Sequence, residues 1–196
     1  QVALPSGRVM IADLGGIRDD RAAAHERYRE FLGTLREAIW DPDRLTVGHH
    51  LKFDLGVVLH RYGWECRGAR CTMLMSQLLY AGLRNVRHSL GALCERLGIP
   101  IDKSQQQSDW SGHLSNSQLN YAGRDPLRTA QAAKILAVEL RKAGLNNSAQ
   151  AEMLALPAFV EIEFRGMPVN KEKLDAQLAN WRRIQEQVIQ PFLERY

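Results

Sequence analysis

Val47-Gly48-His49-His50-Leu51-Lys52-Phe53-Asp54 closes a short apolar run and delivers a lone carboxylate to the start of a helical pattern. Leu45 to Gly48 reads as a buried strand, and Asp54 to Tyr62 as a helix that Gly63 ends. A carboxylate at such a junction stands at a sheet edge, beside a helix N-terminus whose free N–H groups attract anions. Taken alone, Asp54 reads first as a helix cap.

Upstream, Val2 to Leu4 and Arg8 to Asp13 are apolar runs parted by Pro5-Ser6-Gly7, the signature of a β-hairpin. Asp19 or Asp20 can cap a helix that reaches Trp40, with Tyr28, Phe31, Leu32, Leu35 and Ile39 at helical spacing. Downstream, Trp64 to Cys71 reads as a strand, and Thr72 to Tyr80 and Ser89 to Leu97 as helices. Asp102 to Ser111 is polar and loop-like, and a long helix runs from Ser115 to Ala143, stopped by Gly144. Strands come early and alternate with helices, which predicts an α/β sandwich around a mixed sheet.

After Gly144 no strand pattern remains. Ala149 to Phe164 and Asn170 to Tyr196 read as helices around a turn at Arg165-Gly166-Met167-Pro168, so a domain boundary is expected near 146. The chain has 196 residues, 45% hydrophobic and 24% charged, enough for one large domain or one domain and the start of another. No apolar run approaches the roughly 20 residues that cross a bilayer, so no membrane role is expected. Three cysteines without a CxxC pair indicate neither a disulfide framework nor a zinc site and fit a reducing cytoplasm. The net charge of +4 suits a polyanionic partner.

Tyr121 and Asp125 are four residues apart on the long helix, so they share a face. A phenol beside a metal-bound carboxylate can position an attacking water. Alone, such a pair is usually structural. His49, His60, His88 and His113 show no HxxxH grouping, and the glycines form neither a GxxxxGK[ST] nor a GxGxxG loop. Arg67, Arg70, Arg84 and Arg87 are candidate phosphate contacts whose default is a solvated face. Trp110 either covers a cleft or packs.

The ordered series His88-Ser89-Leu90-Gly91-Ala92-Leu93-Cys94-Glu95-Arg96-Leu97-Gly98-Ile99, Asp102-Lys103-Ser104-Gln105-Gln106, Ser108-Asp109-Trp110-Ser111, Leu114-Ser115, Gln118-Leu119 and Tyr121-Ala122 makes these fragments one pattern. With Gly48 to Asp54 it resembles the 3′–5′ exonuclease domain of DNA polymerase I-like family A polymerases and their ribonuclease D relatives, over about residues 1–143. Leu156-Pro157-Ala158, Glu161 to Asn170 and Lys173-Leu174 are similar to the helical opening of a family A polymerase domain.

The resemblance implies a ribonuclease H-like mixed sheet flanked by helices over 1–146, lacking its first strand, then an all-α segment over 147–196. It implies two-metal hydrolysis with Mg²⁺ or Mn²⁺ at DNA 3′ ends, preferably single-stranded. Asp54 and Asp125 become metal ligands, and Tyr121 the water-positioning phenol. His50, Lys52 and Phe53 fall near the substrate strand, although Phe53 is equally readable as core and Lys52 as solvated.

Two departures are visible. His50 stands where the family usually has Asn, and no aspartate-x-glutamate strand precedes the hairpin. Two carboxylates do not balance two divalent ions, so the missing pair is expected upstream, in the rest of a polymerase, or in a partner chain. Glu161-x-Glu163 has the spacing but falls in a helical tail, and Asp13 has no partner two residues on. The alternative reading is an inactive pseudo-exonuclease that binds nucleic acid or a protein. A ribonuclease D-type RNA-trimming enzyme is the third.

Overall fold

The computed structural model describes all residues except 5, 12–22, 42, 67, 102–107, 110–113 and 196, and leaves out the side chains of 23–27, Ala38 and Trp40. Asp13, the Asp19 or Asp20 cap, Arg67, Trp110, His113 and most of the 102–111 loop therefore lie outside the described residues. The chain divides into two compact units, Gln1–Phe164 and Arg165–Tyr196.

In the first unit, β1 (Val2–Ala3) and β2 (Val9–Met10) pair antiparallel, Val2 opposite Met10. Gly7, at φ +80°, supplies the turn between them. Helix α1 (Ala23–Trp40) leads to β3 (Thr46–Gly48), then α2 (Leu51–Tyr62) and β4 (Ala69–Cys71). β3 and β4 pair in parallel, Gly48 beside Cys71. Helices α3 (Thr72–Leu79), α4 (Leu90–Arg96), α5 (Asn116–Lys142) and α6 (Asn146–Arg165) follow. A capping box fixes the start of α5: the Ser115 hydroxyl accepts from the Gln118 N–H, and the Gln118 side chain accepts from the Ser115 N–H. Helix α5 packs on α3, on β3 and on the hairpin.

This is a mixed α/β fold, as expected, but among the described residues its sheets are small: two pairs of strands rather than one wide sheet. The expected buried strand at 45–48 is half-exposed, with Leu45 at 59% and Val47 at 37%, since among the described residues only β4 flanks it. The strand expected over 64–71 shortens to 69–71, and its entrance is set by Thr46 N–H donating to Gly68 C=O. Helix α2 begins at Leu51, three residues before the expected start, so Asp54 lies in its first turn and is not its cap.

The core joins Ile39, Leu51, Leu55, Cys71, Met75, Leu93, Leu136 and Leu140. Met153, Leu156 and Val160 of α6 belong to it too. The compact unit thus runs past the boundary expected at 146, because α6 buries its apolar stripe against the α/β body. The second unit contains α7 (Lys171–Arg195), which Asn170 caps through its carboxamide oxygen to the Lys173 N–H. None of its described residues is buried, and Leu174, Leu178, Trp181 and Val188 form an exposed apolar stripe. Among the described residues, no helix is long and apolar enough to cross a membrane.

Candidate active site

Two groups of predicted residues occupy two elements. The first is the turn into α2. His50 caps that helix in the left-handed region, φ 58°, ψ 37°, without a side-chain hydrogen bond to the helix end. Glycine normally holds such a conformation, so a β-carbon here is strained. The His50 ring stacks on Phe53, with centroids 6.2 Å apart and planes within 14°. Phe53 is 64% exposed, which removes the core reading. Lys52 is half-buried and ion-paired to Glu163 of α6, so it is more than a solvated charge. Glu163 is thereby engaged outside any Glu161-x-Glu163 pair.

Asp54 keeps contact with solvent, yet the surrounding protein raises its carboxyl above the ordinary aspartate range. These observations agree for a carboxylate that is wet on one side and short of water on the other. Positive charge on His50 pulls in the opposite direction, and the Gln1 end of the hairpin also lies within electrostatic reach of Asp54.

The second group lies on α5. Tyr121 and Asp125 are both half-buried, one helical turn apart. Burial raises the Asp125 carboxyl, and the Arg128 guanidinium, three residues on, partly offsets it. Sequence reading missed Arg128, whose only signal was that three-residue spacing. Its Nε donates to the Pro100 carbonyl, and its Nη1 is buried without a hydrogen-bond partner among the described residues.

The hairpin touches both groups. Continuing its register sets Gln1 opposite Ile11. The Gln1 end acts on Asp54, while Ile11 and Val9 lie against Gly123, between Tyr121 and Asp125. Even so, neither carboxylate counts among the charges that shift the other. Among the described residues no three of His, Cys, Asp and Glu stand close enough to hold a metal ion.

Behind the α2 turn runs a buried polar chain that the sequence did not reveal. His49 Nδ1 hydrogen-bonds Thr72 Oγ1 at 2.9 Å, and Thr72 donates to the Gly48 carbonyl at 3.2 Å. One turn along α3, Ser76 Oγ meets His88 Nδ1 at 2.9 Å. Burial lowers the His49 pKa, with a smaller opposing contribution from the His88 backbone. These contacts give His49 and His88 structural roles. Of the predicted arginines, Arg84 and Arg87 are exposed and Arg70 is half-buried.

A cleft of about 780 Å³ opens between α2 and α6, lined by Phe53, Val57, Arg61, Tyr62, Val160 and Phe164 among others. A smaller one, about 270 Å³, includes His50, Lys52, Gln77 and Phe159. Neither is lined by Asp54, Tyr121 or Asp125.

With this geometry in place, comparison with known proteins adds the following. The sequence pattern of a 3′-5′ exonuclease family matches residues 10–141. A DNA polymerase I from Rhizobium leguminosarum is 29% identical over 177 residues, which are 84% of this chain and 17% of that polymerase. The chain thus spans under a fifth of that relative's length. Brucella melitensis NrnC is similar in structure, with 31% identity and a TM-score of 0.61 over 67% of this chain and 64% of that one. Structures of that protein include one with bound Mg²⁺ and one bound to pGG. Escherichia coli RNase D, an exoribonuclease, shares the fold at 22% identity and TM-score 0.57, over 66% of this chain and 34% of that one.

Proposed function

The chain belongs to the 3′–5′ exonuclease family, and from that premise we propose that it is the exonuclease domain of a DNA polymerase I-like protein, removing nucleotides from DNA 3′ ends. The observation that supports this reading is the shared hairpin end. It lies near Asp54 through Gln1 and against the Tyr121–Asp125 turn through Ile11, as convergence of the two motifs requires.

Members of the family generally use divalent metal ions. Asp54 and Asp125 are hard oxygen donors of the kind that Mg²⁺ and Mn²⁺ accept. The described donors nevertheless do not complete a site, since no third acidic or imidazole group joins them. In this reading Asp54 and Asp125 are the chain's share of the ligands. Tyr121 holds the attacking water from the adjacent turn, and the His50–Phe53 stack and Lys52 receive the terminal nucleotide and its phosphate.

The test is trimming of 5′-labelled single strands, DNA and RNA in parallel, in Mn²⁺, by the chain and its Asp54→Ala and Asp125→Ala variants. Loss of at least about 100-fold in both variants is expected, the scale of several kcal/mol of charge stabilisation. Trimming that survives either substitution refutes the assignment. Preference for RNA would replace the polymerase-type substrate with a ribonuclease-type one, a reading that the resemblance to NrnC and RNase D keeps open.

A second reading is a chain that binds 3′ ends without cutting them. The incomplete donor set and His50 in the strained cap position favour it. Strand binding by the wild type with no trimming in Mn²⁺ would support it.

A further inference from the structure

We propose that the cleft between α2 and α6 is a track for single-stranded nucleic acid, extending from the α2 turn and holding nucleotides behind the reacting end. This rests on the exonuclease reading for its direction, not for its chemistry.

The lining carries the two features that a sequence-tolerant single-strand site needs: aromatic faces for bases and cations for the backbone. Phe53 is 64% exposed at the end next to Asp54, and Phe164 is 48% exposed across the cleft on α6. Tyr62, also on the lining, stacks on Trp64, with centroids 4.7 Å apart. Its hydroxyl hydrogen-bonds that of Tyr28, so the ring is braced from two sides. Arg61 supplies positive charge, and Glu163, the only lining carboxylate among the described residues, is engaged by Lys52. His60 sits edge-on to Phe164 at 5.4 Å, which fixes the far wall.

A volume of about 780 Å³ exceeds what one terminal nucleotide needs. A protein side chain or helix could also seat on apolar walls. The exposed Arg61 guanidinium on the lining, beside the open aromatic faces, favours a strand with phosphates.

The experiment measures fluorescence anisotropy of 5′-fluorescein dT2 and dT12, and of rU2 and rU12, with the full chain in EDTA so that no cleavage intervenes. The expected result is that the 12-mers bind at least about tenfold tighter than the dimers, as stacking of further bases implies. In the double variant Arg61→Gln/Phe164→Ala, most of that length increment is lost while dimer affinity holds. Val57→Glu, a substitution at a half-exposed cleft position, gives the same loss should the double variant misfold. Equal affinity for dimers and 12-mers, or an increment unchanged in folded variants, overturns the track. Because binding is read without turnover, that failure is distinct from failure of Asp54 and Asp125 in the trimming assay. DNA against RNA arms show which strand the track prefers.

Discussion

Gly123 lies one van der Waals contact from Ile11: a β-carbon built on this glycine would meet Ile11 Cδ1 at 3.7 Å and Val9 Cγ1 at 3.9 Å. Space for a methyl group therefore exists where α5 meets the hairpin. Gly123→Ala is expected to stabilise the chain by about 0.5–1 kcal/mol, since a mid-helix glycine carries excess unfolded-state entropy. Gly68 is the opposite case. Its β-carbon would fall 2.6 Å from the Arg44 carbonyl oxygen, and backbone at the β3–β4 junction has nowhere to move. Gly68→Ala is expected to cost about 1–3 kcal/mol. Thermal melts of both variants check the pair; a destabilised Gly123→Ala would show that the hairpin sits closer to α5 than described.

The contrast also shows what a sequence can carry. The hairpin turn at Gly7, the helix start at Ser115 and the Gly144 stop are local signals, each within a few residues of the element it sets, and they are legible. The Tyr121–Asp125 face follows from helical spacing alone. His50 was not legible as a cap, because left-handed backbone is signalled by glycine and here an imidazole occupies it. Hence the sequence reads Asp54 as the cap, four residues after the true one. Met153, Leu156 and Val160 repeat at helical spacing, but periodicity says only that a face is apolar, not which body covers it. The junction at Gly144 thus read as a domain edge although α6 packs back onto the first unit. Arg128 and the His49–Thr72 bond depend on partners distant in sequence, which no local pattern contains.

Lys52 and Glu163 join α2 to α6 across 111 positions, with side chains 38% and 60% exposed. At that exposure the pair adds little to stability, less than about 1 kcal/mol. Glu163→Gln is therefore expected to leave the melting temperature nearly unchanged. It frees Lys52 to meet phosphate, so affinity for a single strand rises and its salt dependence steepens. Anisotropy titrations at two salt concentrations measure this. Weaker strand binding by Glu163→Gln would mean that the ion pair holds Lys52 toward the strand rather than away from it.

His49 gives the fold an acid sensitivity of known sign. Burial holds its pKa below the ordinary 6.5. As pH falls through that value the unfolded chain takes up a proton that the folded chain resists, so stability drops with falling pH. Above it, neutral His49 keeps its bond to Thr72. Melts of wild type and His49→Gln from pH 7.5 to 5 should show the wild-type advantage narrowing toward acid. A constant or widening advantage would contradict a neutral, buried His49.

Asp125 should reveal the conflict between a reactive site and a stable fold. Its carboxyl is raised by burial despite the pull of Arg128. Stability linked to this group is therefore complete below the ordinary value of 3.8 and is lost as pH rises through the raised folded value. At neutral pH the ionised carboxylate is a net cost that asparagine, of nearly the same shape, does not carry. Asp125→Asn is expected to melt above the wild type at pH 7.5, and the gap should close as pH falls below about 4. In the same variant, trimming of 3′ ends falls away. A residue kept only for packing would show the pH-dependent gap without the loss of trimming. A variant that melts below the wild type at pH 7.5 would place Asp125 in a stabilising ion pair instead, with Arg128 as the partner to test next.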